Sequence, residues 1–239
     1  MGWNNPGRSG ALVYALAAVT LGGVVAAFSR LTIARQRGRR TAASRLPDGP
    51  VIVISNHASY ADGVMLALVC RRMGRSIRLL ATSGVFRAPG LGWLTTRVGF
   101  IRVDRGAASA GASLALAAAA LEAGEAVGIF PEGRTTRDPD HWPERAKTGA
   151  VRLALQTGVP IVPIAMVGTH RVVTRRYPLR SLAVNLLLRP KVLVEVGEPI
   201  DVVALVGTTP YDQADIRRLS DEVMGQLVSL VAELRGETA

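Results

Sequence analysis

Short apolar runs alternate with longer amphipathic runs along the chain from about Pro50 onward. Several have the length and composition of β-strands, at residues 51–54, 77–81, 99–103, 126–130, 160–167, 183–188 and 192–196, while residues 64–73, 109–123 and 151–156 are of helical type. This alternation predicts an α/β protein. Near the C-terminus, apolar residues at helical spacing predict a helix with one face on the sheet: Leu219, Val223, Leu227, Leu230 and Leu234.

The first 45 residues have a different pattern. Residues 10–29 are 20 residues without a charge, and a helix of that length spans roughly 30 Å, the thickness of the hydrocarbon core of a bilayer. Residues 30–45 then contain six arginines and no acidic residue. We therefore predict a membrane-embedded helix and an arginine-rich linker over 1–45 and a catalytic domain over 46–239. The positive-inside rule places this domain on the cytoplasmic face of the cell membrane.

The N-terminal apolar segment has two alternative interpretations. One is a removed signal peptide, although such a peptide has a shorter apolar core and no arginine-rich flank, and the second is a buried core helix. The arginines suit anionic lipid headgroups, although a solvated linker or a nucleic-acid-binding arm has the same composition.

Arginine dominates the charge of the chain. There are 29 Lys and Arg residues against 18 Asp and Glu, a net charge of +11, so anionic partners are expected. The single cysteine, Cys70, permits no intrachain disulfide, and with three histidines it cannot form a Cys-rich structural zinc site. The sequence lacks the glycine-rich loops of nucleotide-binding proteins and the Gly-x-Ser-x-Gly motif of serine hydrolases.

A polar cluster follows the first predicted strand of the domain. The run SNHASYAD (residues 55–62) lies between the strand 51–54 and the helix 64–73. Ligands of open α/β sheets bind at such carboxyl ends of strands. His57, with Asp62 five residues later, can act as a general base that a carboxylate holds in one tautomer. The alternative is a helix cap at Asp62 and a structural histidine.

Four blocks in order resemble the 1-acyl-sn-glycerol-3-phosphate acyltransferases, also called lysophosphatidic acid acyltransferases. Residues 56–62 have the Asn-His-x-x-x-x-Asp signature, and residues 99–105 (GFIRVDR) resemble the second block, which begins with glycine and ends in Asp-Arg. Residues 130–133 (FPEG) and 159–164 (VPIVPI) are similar to the third and fourth. This resemblance, over about residues 50–170, implies a glycerophosphate acyltransferase-like fold: a mixed twisted α/β sheet flanked by helices.

The resemblance implies an enzyme of phospholipid biosynthesis. It would transfer a fatty acyl group from a thioester to the sn-2 hydroxyl of 1-acyl-sn-glycerol-3-phosphate, giving phosphatidic acid. His57 would be the general base and Asp62 would orient its imidazole. Glu132 would hydrogen-bond the glycerol hydroxyl or fix an arginine. The candidate substrate-binding residues lie in or beside the blocks: Asn56, Arg105, Glu132, Gly133, Arg134 and Lys147.

The third block departs from the family pattern. The family has Thr-Arg-Ser after Glu-Gly, whereas this chain has Arg134-Thr135-Thr136, so its arginine is displaced by one position. A guanidinium binds phosphate bidentately, and Arg105, Arg134 and Lys147 are the alternatives for that contact.

The expected partners are membrane lipids, the lysophospholipid acceptor and an acyl-CoA or acyl carrier protein thioester as co-substrate. No cofactor, metal or nucleic acid is expected, and the oligomeric state stays open. One alternative keeps the chemistry and changes the acceptor to another lysophospholipid, a lyso-ornithine lipid or a glycolipid. A remote alternative, suggested by charge alone, is a basic adaptor without catalysis that binds membranes or nucleic acid.

Overall fold

The computed structural model describes residues 6–33, 45–104, 107–174, 177–207 and 210–236, without the side chains of 107–110 and 178. Its strands are β1 (Arg30–Ile33), β2 (Val51–Ser55), β3 (Ile77–Thr82), β4 (Ile101–Val103), β5 (Ala126–Ile129), β6 (Ile161–Val167) and β7 (Lys191–Val196). They form one sheet in the order β1-β7-β6-β2-β5-β3-β4. Neighbouring strands are parallel except β6 and β7, which are antiparallel. The predicted mixed sheet is confirmed.

Helices cover both faces of this sheet. They are α1 (Gly7–Phe28), α2 (Asp62–Arg72), α3 (Ser83–Arg87), α4 (Leu91–Arg97), α5 (Ala107–Glu122), α6 (Gly149–Thr157), α7 (Thr169–Val172), α8 (Pro178–Leu188), α9 (Val202–Val206) and α10 (Gln213–Arg235). The C-terminal helix predicted from its apolar spacing is α10, and it contributes Leu219, Val223 and Leu227 to the core.

Strand β2 shows why the sheet is buried on both sides. Ile52 and Ile54 join the core cluster that also contains residues of α5, α6 and α10. Val51 and Val53 point the other way, into the cluster with residues of α2. All four side chains are fully buried, and burying an aliphatic side chain stabilises a fold by roughly 1.5–3 kcal/mol. A continuous apolar run is what a strand covered on both faces requires.

Helix α1 lies against the domain along one narrow face. It packs against α2, α4, α8 and β1. Its buried residues are Gly10, Tyr14 and Val25, and the Tyr14 hydroxyl accepts a hydrogen bond from the backbone N–H of Ile77. The rest of α1 is largely exposed, and the helix is long and apolar enough to cross a membrane. A single residue, the buried Ser29, separates α1 from β1.

Two segments differ from the sequence-based prediction. Residues 183–188, predicted as a strand, belong to α8, so that prediction is wrong. The run is too short for its periodicity to separate helix from strand, and Pro178 starts the helix at a position where a missing N–H costs little. Residues 30–33, assigned to the arginine-rich linker, instead form the edge strand β1, parallel to β7.

Gly168 controls the exit of the chain from β6 into α7. Its φ is +96°, and a Cβ added there would overlap the backbone carbonyl oxygen of Lys191, the first residue of β7. Gly158, which follows α6, also has a positive φ, +69°, but nothing within 4 Å of an added Cβ. Substitution at both glycines introduces backbone strain, whereas substitution at Gly168 alone also introduces steric overlap. A comparison of the two variants therefore separates these effects.

We expect Gly168→Ala to destabilise the protein more than Gly158→Ala. A left-handed conformation costs a residue with a Cβ roughly 1–2 kcal/mol, which applies to both variants. Overlap with a fixed carbonyl adds roughly 1–3 kcal/mol at Gly168 alone. Urea unfolding of both variants measures the difference, and equal losses would contradict the close approach of β6 and β7 at Gly168.

Candidate active site

Two of the four sequence blocks meet at the carboxyl ends of two neighbouring central strands. Strands β2 and β5 are parallel neighbours, with Ile54 opposite Ile129, so residues 56–62 and 130–133 leave the sheet side by side. The block at 99–105 includes β4, which β5 and β3 separate from β2, a distance of roughly 14 Å at the usual strand spacing. Arg105 itself lies outside the described residues.

His57 and Asp62 form a hydrogen-bonded pair. The distance from His57 Nδ1 to Asp62 Oδ2 is 2.9 Å, and the side chains are 19% and 1% exposed, respectively. Asp62 Oδ2 also accepts a hydrogen bond from the backbone N–H of Ser59. The carboxylate therefore favours the tautomer with the proton on Nδ1, which leaves the lone pair of Nε2 available as a base.

Residues of the loop after β5 hold the backbone and the ring of His57. The His57 N–H donates to Glu132 Oε1 at 2.8 Å, and its carbonyl accepts from the N–H of Thr136 at 2.7 Å. The imidazole stacks on the ring of Phe130, with centroids 4.3 Å apart and an interplanar angle of 22°. The sequence placed Phe130 in a motif but did not predict that its ring stacks on His57. The contact of Thr136 was not predictable from the residue type, because Thr136 makes it through its backbone N–H.

Glu132 is a buried acid between two backbone amides. Its second oxygen, Oε2, accepts from the N–H of Glu144 at 3.0 Å, and its residue is 4% exposed. Burial raises the pKa of Glu132 to about 7, against the opposing effect of the two amides and of His57. Within the described residues both oxygens thus contact backbone amides, and neither contacts the arginine that the sequence suggested.

Asn56 joins the end of β2 to β6. Its Nδ2 donates to the carbonyl of Met166 at 2.9 Å, and its Oδ1 accepts from the Met166 N–H at 2.8 Å. The residue is 3% exposed. This amide therefore extends the pairing of β2 with β6 beside His57, and its expected contact with substrate stays a prediction.

Two further substrate-binding candidates line an open cleft of about 650 Å³. Arg134 and Lys147 lie in it together with Arg145 and the acidic Glu144. Arg134 donates to Glu144 Oε2 through Nε at 3.1 Å and Nη2 at 2.7 Å. Gly133 has φ +70°, and the Lys147 side chain covers the position that a Cβ would occupy. The turn therefore favours glycine, and the lysine side chain lies against Gly133.

A narrow apolar cavity of about 70 Å³ lies between α1, α2 and α4. Its walls include Leu21 of α1, Ala67 of α2 and Leu94 of α4. Gly63 and Val64 also line it, and they directly follow Asp62 in the chain. The cavity thus reaches the first turn of α2, the helix that begins with Asp62. Sequence analysis did not foresee it because its three helices come from separate parts of the chain.

A family model and several named relatives that match this chain are acyltransferases. Residues 36–167 match the family model described as Acyltransferase. A chloroplastic 1-acyl-sn-glycerol-3-phosphate acyltransferase of Brassica napus is 32% identical over 126 residues, which are 52% of this chain and 35% of the relative. The enzyme of that name from Borreliella burgdorferi is 27% identical over 182 residues, 75% of this chain and 67% of the relative.

Structural comparison extends the likeness to nearly the whole chain. The crystal structure of the 1-acyl-sn-glycerophosphate (LPA) acyltransferase from Thermotoga maritima superposes with a TM-score of 0.63 at 20% identity, covering 96% of this chain and 81% of that one. At this identity the match shows a common fold. The chain spans about a third of the length of the plant relatives.

The buried Glu132 predicts a pH dependence of stability. The pKa of this carboxyl is about 7 in the folded protein, above its ordinary value of 4.5. Between these two pH values the folded state holds a proton that the unfolded chain releases, so Glu132 lowers the free energy of unfolding as pH rises. We expect Glu132→Gln to flatten that decline in urea unfolding at a series of pH values.

Glu122→Gln, on the exposed side of α5, is the matched control and should leave the slope unchanged. If the free energy of unfolding fell with the same slope against pH in the wild type and in Glu132→Gln, Glu132 would not be a buried acid that is protonated in the folded state.

Proposed function

We propose that this chain, which belongs to the acyltransferase family, transfers a fatty acyl group from a thioester to the sn-2 hydroxyl of 1-acyl-sn-glycerol-3-phosphate, giving phosphatidic acid. The observation that carries the proposal is the 2.9 Å contact between His57 Nδ1 and the buried Asp62. The names of the plant and Borreliella burgdorferi relatives support this choice of acceptor.

In the proposed reaction His57 Nε2 takes the proton of the acceptor hydroxyl while the hydroxyl oxygen attacks the thioester carbonyl. The buried Asp62 carboxylate stabilises the imidazolium that forms. Collapse of the tetrahedral intermediate breaks the C–S bond, and the leaving thiolate takes the proton back from Nε2. The acyl group thus passes directly to the acceptor, with no covalent enzyme intermediate.

The two cavities suit the two ends of the lipid substrates. The apolar cavity beside Gly63 offers apolar surface to part of an acyl chain. The cleft with Arg134 and Lys147 offers cations to the acceptor phosphate. Phosphate must compete there with Glu144 for Arg134. An exposed ion pair contributes about 0–1 kcal/mol, whereas a hydrogen bond to a charged group contributes about 1.5–3 kcal/mol, so a phosphate can displace the Glu144 carboxylate.

The N-terminal helix supports action at a membrane. Helix α1 is apolar enough to enter a bilayer, and the arginines that follow it favour the cytoplasmic face of the cell membrane. There the donor is acyl-CoA or acyl-loaded acyl carrier protein, both of which are anionic and complement a chain of net charge +11.

The general-base mechanism predicts different effects at His57 and Ser59. His57→Ala should lower kcat by about 10²–10⁴-fold, because it removes the proton acceptor. Ser59→Ala should keep most of the activity, because its hydroxyl donates to the Val173 carbonyl and accepts from the Ala61 N–H, both of which are backbone groups. Transfer assays with both donors, alongside thermal unfolding, test this. Loss at Ser59 equal to that at His57, with unchanged Tm, would indicate an acyl-serine route instead.

The cleft predicts a selective effect at Arg134. Arg134→Ala should raise KM for a phosphate-bearing acceptor by roughly 10- to 150-fold and leave KM for the donor unchanged. Arg152→Ala is the matched control, because this exposed arginine pairs with Thr148 and Gln213 on another face. If both KM values rose together and Tm fell, Arg134 would only brace the loop, and the phosphate contact would return to Lys147 or Arg105.

A further inference from the structure

Helix α8 has its polar and apolar sides reversed relative to a helix at a water-facing surface. Among its described side chains, the buried one is Asn185, 5% exposed. Its leucines face outward, with Leu179 81% and Leu187 86% exposed, and Leu186 and Leu188 are exposed as well. Leucine is normally among the most buried residues and asparagine among the exposed ones. A leucine-rich outer face is stable where the surroundings are apolar.

Two polar side chains attach the inner face of α8 to the domain. Asn185 Nδ2 donates to the carbonyls of Arg171 at 2.6 Å and Val172 at 2.9 Å, at the end of α7. The hydroxyl of Ser181 accepts from the N–H of Thr174. Polar contacts thus hold the inner face of α8, and its outer apolar face is available for another partner.

Helix α8 ends beside the end of α1. Arg189, just after α8, donates to the carbonyl of Ala26 near the C-terminus of α1 at 2.6 Å. Arg30, the first residue of β1, donates back to the Arg189 carbonyl at 3.0 Å. Helices α1 and α8 also pack against each other, and the exposed apolar residues of α1 include Leu16, Val19 and Val24. Two neighbouring helices from distant parts of the chain thus both carry exposed apolar residues.

Charge identifies the occupant of this surface. Residues 1–47 and 145–194, which contain the two helices, have no acidic residue. The cationic residues on or near α8 in the sequence are Arg171, Arg175, Arg176, Arg180, Arg189 and Lys191. A second copy of the chain would bring these like charges together. A bilayer with anionic headgroups offers both an apolar phase for the leucines and counter-charges for the arginines.

We propose that α8 inserts its leucine face into an anionic bilayer at the boundary of headgroups and acyl chains, beside α1. The chain then binds the membrane through a two-helix surface that includes an internal segment, and not through its N-terminal helix alone. This inference concerns binding and does not depend on the identity of the acceptor or on the reaction.

Environment-sensitive labels on the full chain test the proposal. Leu187→Cys carries the label on α8, Leu16→Cys on α1, and Val203→Cys, 44% exposed on α9, is the matched control. The native Cys70 is fully buried and does not compete for the label. With vesicles of phosphatidylcholine and phosphatidylglycerol, we expect blue-shifted emission at positions 187 and 16. Lipids with a quencher about 5–10 Å below the headgroups should quench the label at position 187, while the label at position 203 stays aqueous.

An aqueous signal at 187 together with a lipid signal at 16 would overturn the role of α8 and leave α1 as the sole anchor. A blue shift at 187 without vesicles, in a chain that sediments as a dimer, would overturn it in favour of self-association. Neither outcome bears on acyl transfer, which the His57 variants test separately.

A variant of Arg180 tests the electrostatic part of the proposal. Arg180→Gln should lower the preference for phosphatidylglycerol vesicles over pure phosphatidylcholine vesicles by roughly fivefold, the effect of one arginine near an anionic surface. The measured quantity is the ratio of the partition coefficients for the two kinds of vesicle. The apolar contribution of α1 is the same for both and cancels from this ratio. An unchanged ratio would contradict the electrostatic part of the proposal.

Discussion

The buried carboxylate of Glu132 organises the active site. A carboxyl group is costly to bury unless hydrogen bonds satisfy it, and Glu132 meets that requirement with the backbone N–H groups of His57 and Glu144. These two amides belong to the loop after β2 and to the far end of the loop after β5. One side chain therefore determines how the two loops meet. The position of the His57 imidazole over Phe130 follows from that junction.

Glu144 takes part both in the cleft and in the hydrogen bonds that support His57. The side chain of Glu144 holds Arg134 in the cleft, while its backbone N–H holds Glu132. In the proposed function, a phosphate that takes Arg134 would release only the partly buried carboxylate of Glu144. Its amide would stay in place, because the backbone hydrogen bond to a buried acid costs more to break than a partly exposed ion pair. The proposed substrate could thus enter the cleft without loosening His57.

Sequence reasoning succeeded where a residue's own type decides its place. Strands such as β2 were predictable because burial on both faces demands a continuous apolar run, and His57 and Asp62 belong to a spaced motif. It failed at α8, where leucines face outward and a polar Asn185 faces inward, the opposite of the usual pattern. It also missed contacts made through backbone atoms, such as that of Thr136 with His57, because such atoms are common to all residues and leave no mark in the sequence.

The single buried residue between α1 and β1 has a mechanical consequence. Ser29 bonds back to the Val25 carbonyl through both its N–H and its hydroxyl, and the next four residues pair with β7. No flexible linker separates α1 from β1, so the helix and the sheet tilt together as one rigid unit. Under the proposed insertion of α1 in a bilayer, a change in the tilt of this helix would rotate the sheet with it and alter the height of His57 above the lipid.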